Sequence, residues 1–385
     1  MNTILFDYNR EAFLPLTFTR PIAEFRIGIN TIREKWEYYF DNISIKTEDY
    51  LSKKFPLILE TSNLWINSNI LPNQVLIDQI KDLGVGNILM LNDIPVAFLG
   101  QKYEYKSLTK IQLKGKVTIL KDISDIFTIN GSEIKNDFER IVEGKISKKL
   151  DSLSKKIGDY PLFIEEGANI MSATLNCTHG PIYIGKNAEV MESSVIRGPF
   201  AMEEGAVVKI GSKIYGDTTI GPFCKVGGEL NNVVFIGFSN KAHDGYLGNS
   251  VIGEWCNLGA GSNNSNLKNN YSEVKLWNYP SERFLSTNLQ FCGLIMGDHS
   301  KCGISTMFNT GTVVGVSANI FGSGFSRNFI PSYSWGGPSG FSTYETNKAF
   351  KVAEIVMQRR HRVFNKIDRD ILSSVYDLTR KYRKA

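Results

Sequence analysis

Apolar residues recur every six positions through the middle of the chain. The first run has eight such positions without a miss: Ile184, Val190, Ile196, Met202, Val208, Ile214, Ile220 and Val226. An α-helix repeats every 3.6 residues and a β-strand every two, so neither element explains this period. A six-residue period is typical of a triangular coil in which each short strand turns one side chain inward. The pattern therefore predicts a parallel β-helix built from hexapeptide repeats.

A second run at the same spacing follows, with Met296, Cys302, Phe308, Val314 and Ile320. Ile252 and Leu258 keep the period between the two runs, whereas residues 231–250 and 263–291 break it. Breaks in a solenoid are usually loops that leave one face, and binding often happens there. We therefore expect a loop at each break and functional residues within it. The alternative is a chance alternation of apolar residues in an ordinary sheet.

The chain of 385 residues divides into regions of different pattern. The predicted boundaries are 1–160 for an α/β domain, 161–325 for the β-helix, 326–342 for a linker or packed loop, and 343–385 for amphipathic helices. In the first region, stretches of helix-forming residues at 30–39 and 134–143 predict two helices. Two strand-like stretches at 87–91 and 95–99 flank Asn92-Asp93 and predict a hairpin.

The C-terminal region from Thr343 onward contains no Pro or Gly. Its apolar residues are spaced three, four or seven apart: Val352, Val356, Val363, Ile367, Ile371, Val375, Leu378 and Tyr382. Such a stripe predicts one or two amphipathic helices that pack on this protein or on a neighbouring subunit. The basic residues of the region are Arg359, Arg360, Arg362, Arg380, Lys381, Arg383 and Lys384. A basic helix can bind nucleic acid or an acidic surface, but it is more often a solvated face. The absence of interleaved aromatic residues argues against a nucleic-acid partner.

Composition narrows the class of protein further. The net charge is +5, and no apolar stretch reaches the roughly 18 residues of a membrane span. The N-terminus lacks the basic region and long apolar core of a signal peptide. Five widely spaced cysteines form no CxxC pair, which argues against disulfides and a zinc site. We expect a cytoplasmic protein with reduced thiols, no membrane span and no resident metal in its β-helix.

A motif in the first break carries a family resemblance. The chain reads SNKAHDGYLG at 239–248 and NLGAG at 257–261, and a further asparagine follows at 266. It resembles the acetyltransferase domain of the GlmU family, the bifunctional N-acetylglucosamine-1-phosphate uridyltransferases and glucosamine-1-phosphate acetyltransferases. In that family a Lys-x-x-His-x-x-Tyr-x-Gly loop precedes Asn-x-Gly-Ala-Gly. Leu267 and Ser272 replace a tyrosine and a lysine of the family, which leaves the acceptor sugar open.

The resemblance implies a role for each matching residue. His243 would be the general base, because the ordinary pKa of histidine lies near neutral pH. The implied substrate-binding residues are Lys225, Lys241, Tyr246, Asn257 and Asn266. The implied acyl-CoA-binding residues are Ala260, Gly261, His299 and Ser305, and a backbone N–H near them would stabilise the oxyanion. As alternatives, His299 could pack in a corner and Lys225 could simply face solvent.

The N-terminal region carries a second resemblance. The stretch LPLTFTRPIAE at 14–24 is similar to a motif of sugar-phosphate nucleotidyltransferases. In those enzymes a glycine-rich loop precedes the motif, and its backbone N–H groups approach the nucleotide phosphates. This chain has FDYNREA at 6–12, with no glycine. The resemblance implies a nucleotidyltransferase fold, with Arg10, Thr17 and Arg20 as candidate nucleotide-binding residues and Mg²⁺ required only if the domain is active.

Together these features predict an α/β nucleotidyltransferase-like domain, a left-handed parallel β-helix and a helical tail. The combination resembles a variant GlmU-type group of sugar nucleotidyltransferases from Bacteroidetes-like bacteria. It implies a trimeric N-acetyltransferase that uses acetyl-CoA and acts on an amino-sugar phosphate, such as glucosamine-1-phosphate, or on a nucleotide-linked amino sugar. One alternative is a sugar-nucleotide-binding or scaffold protein that has lost catalysis. Another is a sugar-1-phosphate nucleotidyltransferase with an atypical phosphate loop.

Overall fold

The computed structural model describes residues 1–383, so Lys384 of the basic cluster lies outside the described residues. The chain forms two compact units. The first comprises residues 1–13, 19–25 and 30–123, and the second comprises residues 14–18, 26–29 and those from 124 onward. Within the described range, no helix is long and apolar enough to cross a membrane. All five cysteines are buried, and none of them forms a disulfide bond.

The first unit contains a six-stranded mixed sheet. Its strands lie in the order Ile43–Lys46, Asn2–Phe6, Asn63–Asn67, Ile94–Gly100, Asn87–Leu91 and Thr109–Gln112. The central strand Asn2–Phe6 is parallel to both neighbours, and Ile94–Gly100 is antiparallel to both of its own. The pairing of Asn87–Leu91 with Ile94–Gly100 confirms the predicted hairpin. Side chains from both strand directions, including Phe6 and Phe98, form a hydrophobic cluster on this sheet.

Two α-helices accompany this sheet, Ile32–Glu37 (α1) and Gln74–Lys81 (α2), and short 3-10 helices cover Arg10–Phe13 and Ile22–Glu24. The predicted helix near residues 30–39 is confirmed by α1. A capping box starts it, because the Thr31 side chain accepts from the Glu34 N–H and the Glu34 carboxylate accepts from the Thr31 N–H. These two reciprocal hydrogen bonds stabilise the first turn of α1.

The second unit is dominated by a parallel β-helix with three faces. The first face contains Lys155–Ile157, Thr174–Asn176, Val195–Arg197 and Lys213–Ile214. The second contains Leu162–Ile164, Ile182–Ile184, Phe200–Met202, Thr218–Ile220, Leu294–Met296, Thr312–Val314 and Phe329–Ile330. The third contains Asn169–Ile170, Glu189–Val190, Val207–Val208, Lys225–Val226, Asn240–Lys241, Asn257–Leu258, Lys301–Cys302 and Asn319–Ile320. The nine-residue strands Glu229–Gly237 and Tyr246–Glu254 each continue from the first face to the second.

The hexad positions point into the core of this β-helix. Val190 pairs with Val208 and Val208 with Val226, so one coil takes 18 residues, which is three hexads. Every residue of both apolar runs is buried in one continuous cluster, together with Ile252 and Leu258. The β-helix predicted from the period of six is confirmed, and chance alternation in an ordinary sheet is excluded.

The loop expected at residues 231–250 is wrong. The chain stays in the coil there, because Leu230 pairs with Ile214, Phe235 with Ile220 and Lys241 with Val226. Inward positions continue, but three steps between them are shorter than six residues. Val226 to Leu230 is four residues, and both Leu230 to Phe235 and Leu247 to Ile252 are five. Because of the inward Lys241 and the shorter steps, this coil does not show apolar residues six apart in the sequence.

The second break does contain a segment that leaves the coil. Asn263–Asn264 still belongs to the β-helix, where it pairs in parallel with Met307–Phe308. An antiparallel hairpin then follows, made of Lys275–Asn278 and Arg283–Ser286. The chain rejoins the second face at Leu294–Met296. The insertion is therefore confirmed for part of residues 263–291, and we call it the hairpin insertion.

The remaining helices lie at the two ends of the β-helix sequence. Asp125–Thr128 (α3) and Asn130–Val142 (α4) precede it, and α4 confirms the helix predicted near residues 134–143. Residues 326–342 contain the strand Ser334–Gly337, which pairs with Asn319–Ile320 and with an antiparallel strand, Gly340–Thr343.

The helices Thr346–Gln358 (α5) and Lys366–Leu378 (α6) follow those strands. They confirm the predicted amphipathic tail, although its stripe is only partly buried. Val375 is fully buried, whereas Val363 between the helices is 78% exposed. A capping box of Asn365 and Asp368 starts α6 as a separate helix.

Candidate active site

His243 lies at a corner of the β-helix, directly after the strand Asn240–Lys241. Its side chain is exposed. The turn closes at Gly245, whose φ of +122° is in the region that favours glycine. A Cβ at this position would lie 2.1 Å from the carbonyl oxygen of Ser262. Glycine is therefore required for the chain to pass so close to the next coil behind His243.

Lys241 occupies an inward position of the coil and is 1% exposed. Its Nζ donates to the carbonyl oxygen of His243 at 2.7 Å and to that of Gly227 at 3.2 Å. Burial lowers the pKa of the Lys241 ammonium to about 8. The expectation that Lys241 contacts substrate is not supported by this position, because the side chain points into the β-helix and holds the histidine corner from inside.

Outward positions on the third face form a polar row beside His243. Lys225 pairs with Asn240, Asn240 with Asn257 and Asn257 with Lys301. Neighbouring parallel strands lie about 4.8 Å apart, so these side chains form a ladder of two lysines and two asparagines. Lys225 and Asn257 thus lie on one wall with His243, and their predicted role as substrate ligands stays a prediction. Asn240 and Lys301 were missed, and only the strand register brings them here.

Helix α5 forms the opposite wall of a groove over this row. The groove has a volume of about 720 Å³, and its lining includes His243, Lys225, Asn257, Ala260, Lys301, Val352, Val356, Arg359 and Arg360. We call it the basic groove. Arg360 donates from Nη2 to Oδ1 of Asn240 at 2.8 Å. The interpretation of the tail arginines as a solvated face is therefore wrong for Arg360, which is half-buried against Asn240. Arg359 also lines the groove but is exposed.

Four cationic side chains converge in the basic groove. Burial, with Arg360, Lys209 and Arg359 nearby, lowers the pKa of the Lys225 ammonium. Burial also lowers the pKa of Lys301 to about 8, and its Nζ donates to the carbonyl oxygen of His299 at 2.8 Å. The like charges near Lys225 disfavour its protonated form, and an anion bound beside it would relieve that cost. The groove is therefore suited to bind a phosphate-bearing molecule.

Aromatic side chains stack along a neighbouring corner of the β-helix. The ring centroids of Phe223 and Phe238 are 5.2 Å apart, and those of Phe238 and Trp255 are 4.3 Å apart. His299 continues the column at 6.3 Å from Trp255. Trp255 also lines the basic groove, whereas His299 does not. His299 thus stacks on Trp255 at a corner of the β-helix, and its predicted role in acyl-CoA binding stays a prediction.

Tyr246 and Asn266 lie together but outside the basic groove. The Asn266 amide donates to the Tyr246 hydroxyl oxygen at 2.9 Å. Both residues are half-buried, and burial raises the pKa of the tyrosine hydroxyl. Tyr246 begins a strand on the first face, three residues after His243, so the pair flanks the histidine corner on its other side. Their predicted role as substrate ligands stays a prediction.

The remaining acyl-CoA candidates lie at successive corners beside Ala260. Gly261 donates its backbone N–H to the carbonyl oxygen of Asp244 at 2.9 Å, which ties it to the histidine turn. Ser305 is exposed, has a φ of +56° and donates its N–H to the carbonyl oxygen of Ala260 at 2.7 Å. Only Ala260 of these three lines the basic groove.

The N-terminal candidates lie in and around the segment after the first strand. Arg10 lies 3.5 Å from the Asp7 carboxylate and 3.8 Å from that of Glu48, and Arg20 and Thr17 are buried. The Asp7 carboxylate accepts from the Ile22 N–H at 2.8 Å and from the Thr47 hydroxyl at 2.6 Å. Burial raises the pKa of Asp7. This buried carboxyl, which the sequence reading missed, organises the turn that replaces the glycine-rich loop.

The fold and the groove define a class of protein, a transferase with a hexapeptide-repeat β-helix that follows a nucleotidyltransferase-like domain. A family model described as sugar nucleotidyl transferase matches residues 3–146. A bifunctional sugar-1-phosphate nucleotidylyltransferase/acetyltransferase from Sulfurisphaera tokodaii is 32% identical over 369 residues, covering 81% of this chain and 90% of that protein. The chain belongs to this GlmU-like family of bifunctional nucleotidyltransferase and acetyltransferase enzymes. The family predicted from the two motifs is confirmed.

Two other likenesses cover less. A bifunctional protein GlmU from Methanocaldococcus jannaschii is 41% identical over 73 residues, which are 19% of this chain and 17% of that protein. The crystal structure of the polySia-specific acetyltransferase NeuO aligns with a TM-score of 0.30 at 12% identity. That alignment covers 55% of this chain and 99% of NeuO. At this TM-score the likeness to NeuO bears on neither mechanism nor substrate.

Proposed function

We propose that the β-helix is an acetyltransferase that uses acetyl-CoA and acetylates the amine of an amino-sugar phosphate or of a nucleotide-linked amino sugar. The observation that carries the proposal is the placement of His243, exposed at the edge of the basic groove beside Lys225, Asn257 and Arg360. Forming an amide from a phosphate-bearing thioester needs a base for the amine proton, which His243 can supply. It also needs polar groups that hold the two substrates, which Asn257 and the cations can supply. The relative from Sulfurisphaera tokodaii, named an acetyltransferase, supports the same reaction class.

The chemistry assigned to His243 is general-base catalysis. The acceptor amine attacks the thioester carbonyl carbon, a C–N bond forms, and the negative charge moves to the carbonyl oxygen. His243 takes the proton that the amine loses, and the C–S bond then breaks. The thiolate leaves as CoA and takes up a proton, so the products are an amide and a thiol. General-base assistance of this kind contributes a factor of about 10²–10⁴ to the rate.

The cations of the groove would hold the phosphates of acetyl-CoA or of the acceptor. Lys225, Lys301 and Arg360 come from three separate elements, and the groove is large enough for an extended ligand. Asn257 would position the acceptor sugar. Backbone N–H groups at the corner 259–261 would stabilise the oxyanion, as the resemblance implies.

The experiment is a thiol-release assay on the full chain with acetyl-CoA and a panel of amino-sugar phosphates that includes glucosamine-1-phosphate. We expect release of free CoA, and a loss of at least about 100-fold in kcat for His243→Ala. His179→Ala is the matched control, because His179 is also an exposed corner histidine of the β-helix but does not line the groove. Absence of turnover on every acceptor, or full activity of His243→Ala, would overturn the proposal.

The proposal includes a homotrimer, as the family resemblance implies. The basic groove is lined within one chain, so trimerisation would add residues around His243 and not create the groove. Light scattering of the purified full chain measures the oligomeric state directly. A monomer with full acetyltransferase activity would remove the trimer from the proposal and leave the catalytic assignment intact.

Nucleotidyl transfer by the N-terminal domain is the second candidate function, and the family model over residues 3–146 favours it. The turn after the first strand has no glycine, and each oxygen of the Asp7 carboxylate already accepts one hydrogen bond, which leaves one lone pair on each oxygen for any Mg²⁺ ion. Among residues 1–383, no three His, Cys, Asp or Glu side chains are placed as metal ligands. Pyrophosphate release from a nucleoside triphosphate and a sugar-1-phosphate, measured with Mg²⁺, tests this function. We expect none, and its detection would establish the second activity.

A further inference from the structure

A second cavity lies between the hairpin insertion and the last coils of the β-helix. Its volume is about 500 Å³, and it shares no lining residue with the basic groove. Aromatic and cationic side chains dominate the lining: Trp277, Phe284, Phe329, Lys268, Lys275 and Arg327. We call it the aromatic cavity. None of the residues described as lining it is acidic.

The hairpin insertion builds one wall of this cavity by strand alternation. Trp277 pairs with Phe284, and Lys275 pairs with Ser286 two positions along. Residues two apart on a strand share a face, so Lys275, Trp277 and Phe284 point to the same side. Leu276, which points to the other side, is 7% exposed. The hairpin therefore buries Leu276 on its aliphatic face, although Leu285 opposite it is 46% exposed, and it presents an aromatic and basic face to the cavity.

The second wall comes from the β-helix. The ring of Phe329 stacks on that of Trp277, with centroids 4.3 Å apart and planes inclined by 11°. Phe284 meets the same indole edge-on at 5.4 Å and remains 41% exposed. The Trp277 Nε1 is buried and makes no hydrogen bond to the described residues. A buried indole N–H is usually paired, so its position next to a cavity indicates room for an acceptor atom from a ligand.

The cations are placed at the rim of this aromatic wall. Lys275 and Arg327 are exposed, and neither forms an ion pair with the described residues. The Lys268 ammonium donates to the carbonyl oxygen of Glu273 at 2.7 Å and keeps its charge near the cavity. Aromatic rings can stack on a base, and cations beside them can bind its phosphates. This arrangement recognises a nucleotide whichever base it carries.

We propose that the aromatic cavity binds a nucleoside diphosphate, with the base against Trp277 and Phe284 and the phosphates on Lys275 and Arg327. This site goes beyond the acetyltransferase function, because binding there requires no turnover at His243. The same chemistry is present in two molecules, a nucleotide-linked sugar and the adenosine diphosphate part of acetyl-CoA. A nucleotide-linked sugar in this cavity would be the acceptor of the acetyl group. Acetyl-CoA would be the donor, and it would then extend from the basic groove to the aromatic cavity.

The test is calorimetric titration of the full chain with UDP, dTDP, ADP and CoA, without any acceptor. We expect binding of at least one nucleotide, with a tenfold or greater loss of affinity in Phe284→Ala and in Lys275→Ala. The matched controls are Phe321→Ala, which removes an aromatic ring of 42% exposure outside the cavity, and Lys213→Ala, an exposed β-helix lysine. Both controls should bind as the wild type does.

The arms of the titration also separate the sources. Binding of UDP or dTDP that the cavity variants lose supports the site and assigns it to a nucleotide-linked sugar. Binding of ADP or CoA alone, again lost in the cavity variants, supports the site and assigns it to the acyl donor. Absence of binding by all four molecules, or equal affinity in cavity variants and controls, overturns it. An inactive His243→Ala protein that still binds nucleotide shows that this site stands apart from the acetyltransferase assignment.

Discussion

The ammonium of Lys241 lies 2.7 Å from the carbonyl oxygen of His243, inside the coil that presents the histidine outside. Lys241 thus places a charge in the core of the β-helix, and His243, two positions later, places the candidate base in the basic groove. An inward lysine in a β-helix replaces an apolar residue such as Val226, its partner in the coil below. The contact joins the buried charge to the corner that carries His243.

Stability should depend on pH through this buried lysine. Its pKa is about 8 in the folded chain and 10.5 in the unfolded chain, so the unfolded chain binds the proton more tightly. The free energy of unfolding should therefore rise as the pH increases from about 8 to 10.5, by about 1 kcal/mol per pH unit from this group. Lys241→Met should lose this part of the rise in urea titrations at several pH values. Lys213→Met, at an exposed position, should keep it, and identical slopes for the two variants would contradict the prediction.

Catalysis should also depend on Lys241, although the side chain does not reach the groove. Without the ammonium, the His243 carbonyl loses its partner and the corner loses its fixed position. We expect Lys241→Met to lower kcat about tenfold and to change KM for acetyl-CoA by less than twofold, because positioning of a base acts on the chemical step. Steady-state kinetics of the variant measures both constants. An unchanged kcat in a folded variant would show that the corner holds itself.

A methyl group at Gly245 should disturb the same corner from the other side. The Cβ of Gly245→Ala would lie 2.1 Å from the Ser262 carbonyl oxygen at a φ of +122°. Gly211→Ala is the control, because that glycine also has a positive φ but has no atom within 4 Å of the added carbon. We expect Gly245→Ala to lose at least about 2 kcal/mol of stability and most of its activity. Gly211→Ala should lose about 1 kcal/mol and stay active, and similar thermal midpoints would be inconsistent with this.

The cations of the basic groove should act on substrate affinity. Arg360 is fixed by its hydrogen bond to Asn240, which holds the guanidinium over the outward row. Arg360→Ala should raise KM for acetyl-CoA about tenfold, and added salt should raise the wild-type KM as well. Arg380→Ala removes an exposed arginine of the same tail and should leave KM unchanged. A KM that neither the variant nor salt affects would remove the groove as the donor site.

Sequence reasoning predicted the frame of this molecule better than the details of its site. The period of six depends on a simple physical demand, one inward side chain per strand, and Val190, Val208 and Val226 follow it without exception. The coil through Lys241 was missed because a charged residue occupies the inward position. Its burial becomes visible only when the carbonyl oxygens that pair with it are placed.

The groove shows the same limit. His243 and Asn257 were found because a motif in the chain carries them, whereas Asn240, Lys301 and Arg360 are brought together by strand register and by the packing of α5. The polar row joins residues 225, 240, 257 and 301, whose spacing in the sequence is irregular. No periodic pattern could have collected them, because the hairpin insertion separates the last two.

That insertion has a thermodynamic consequence of its own. Asn257 and its partner Lys301 are 44 positions apart, whereas Val207 and its partner Lys225 are 18 apart. The entropy lost on closing a longer loop grows only with the logarithm of its length, so the longer coil costs about 0.8 kcal/mol more than an ordinary one. The chain can therefore lengthen, shorten or re-sequence this segment at little expense to the stability of the β-helix. Related proteins can therefore acquire different ligand specificities through changes in the hairpin insertion while the β-helix stays the same.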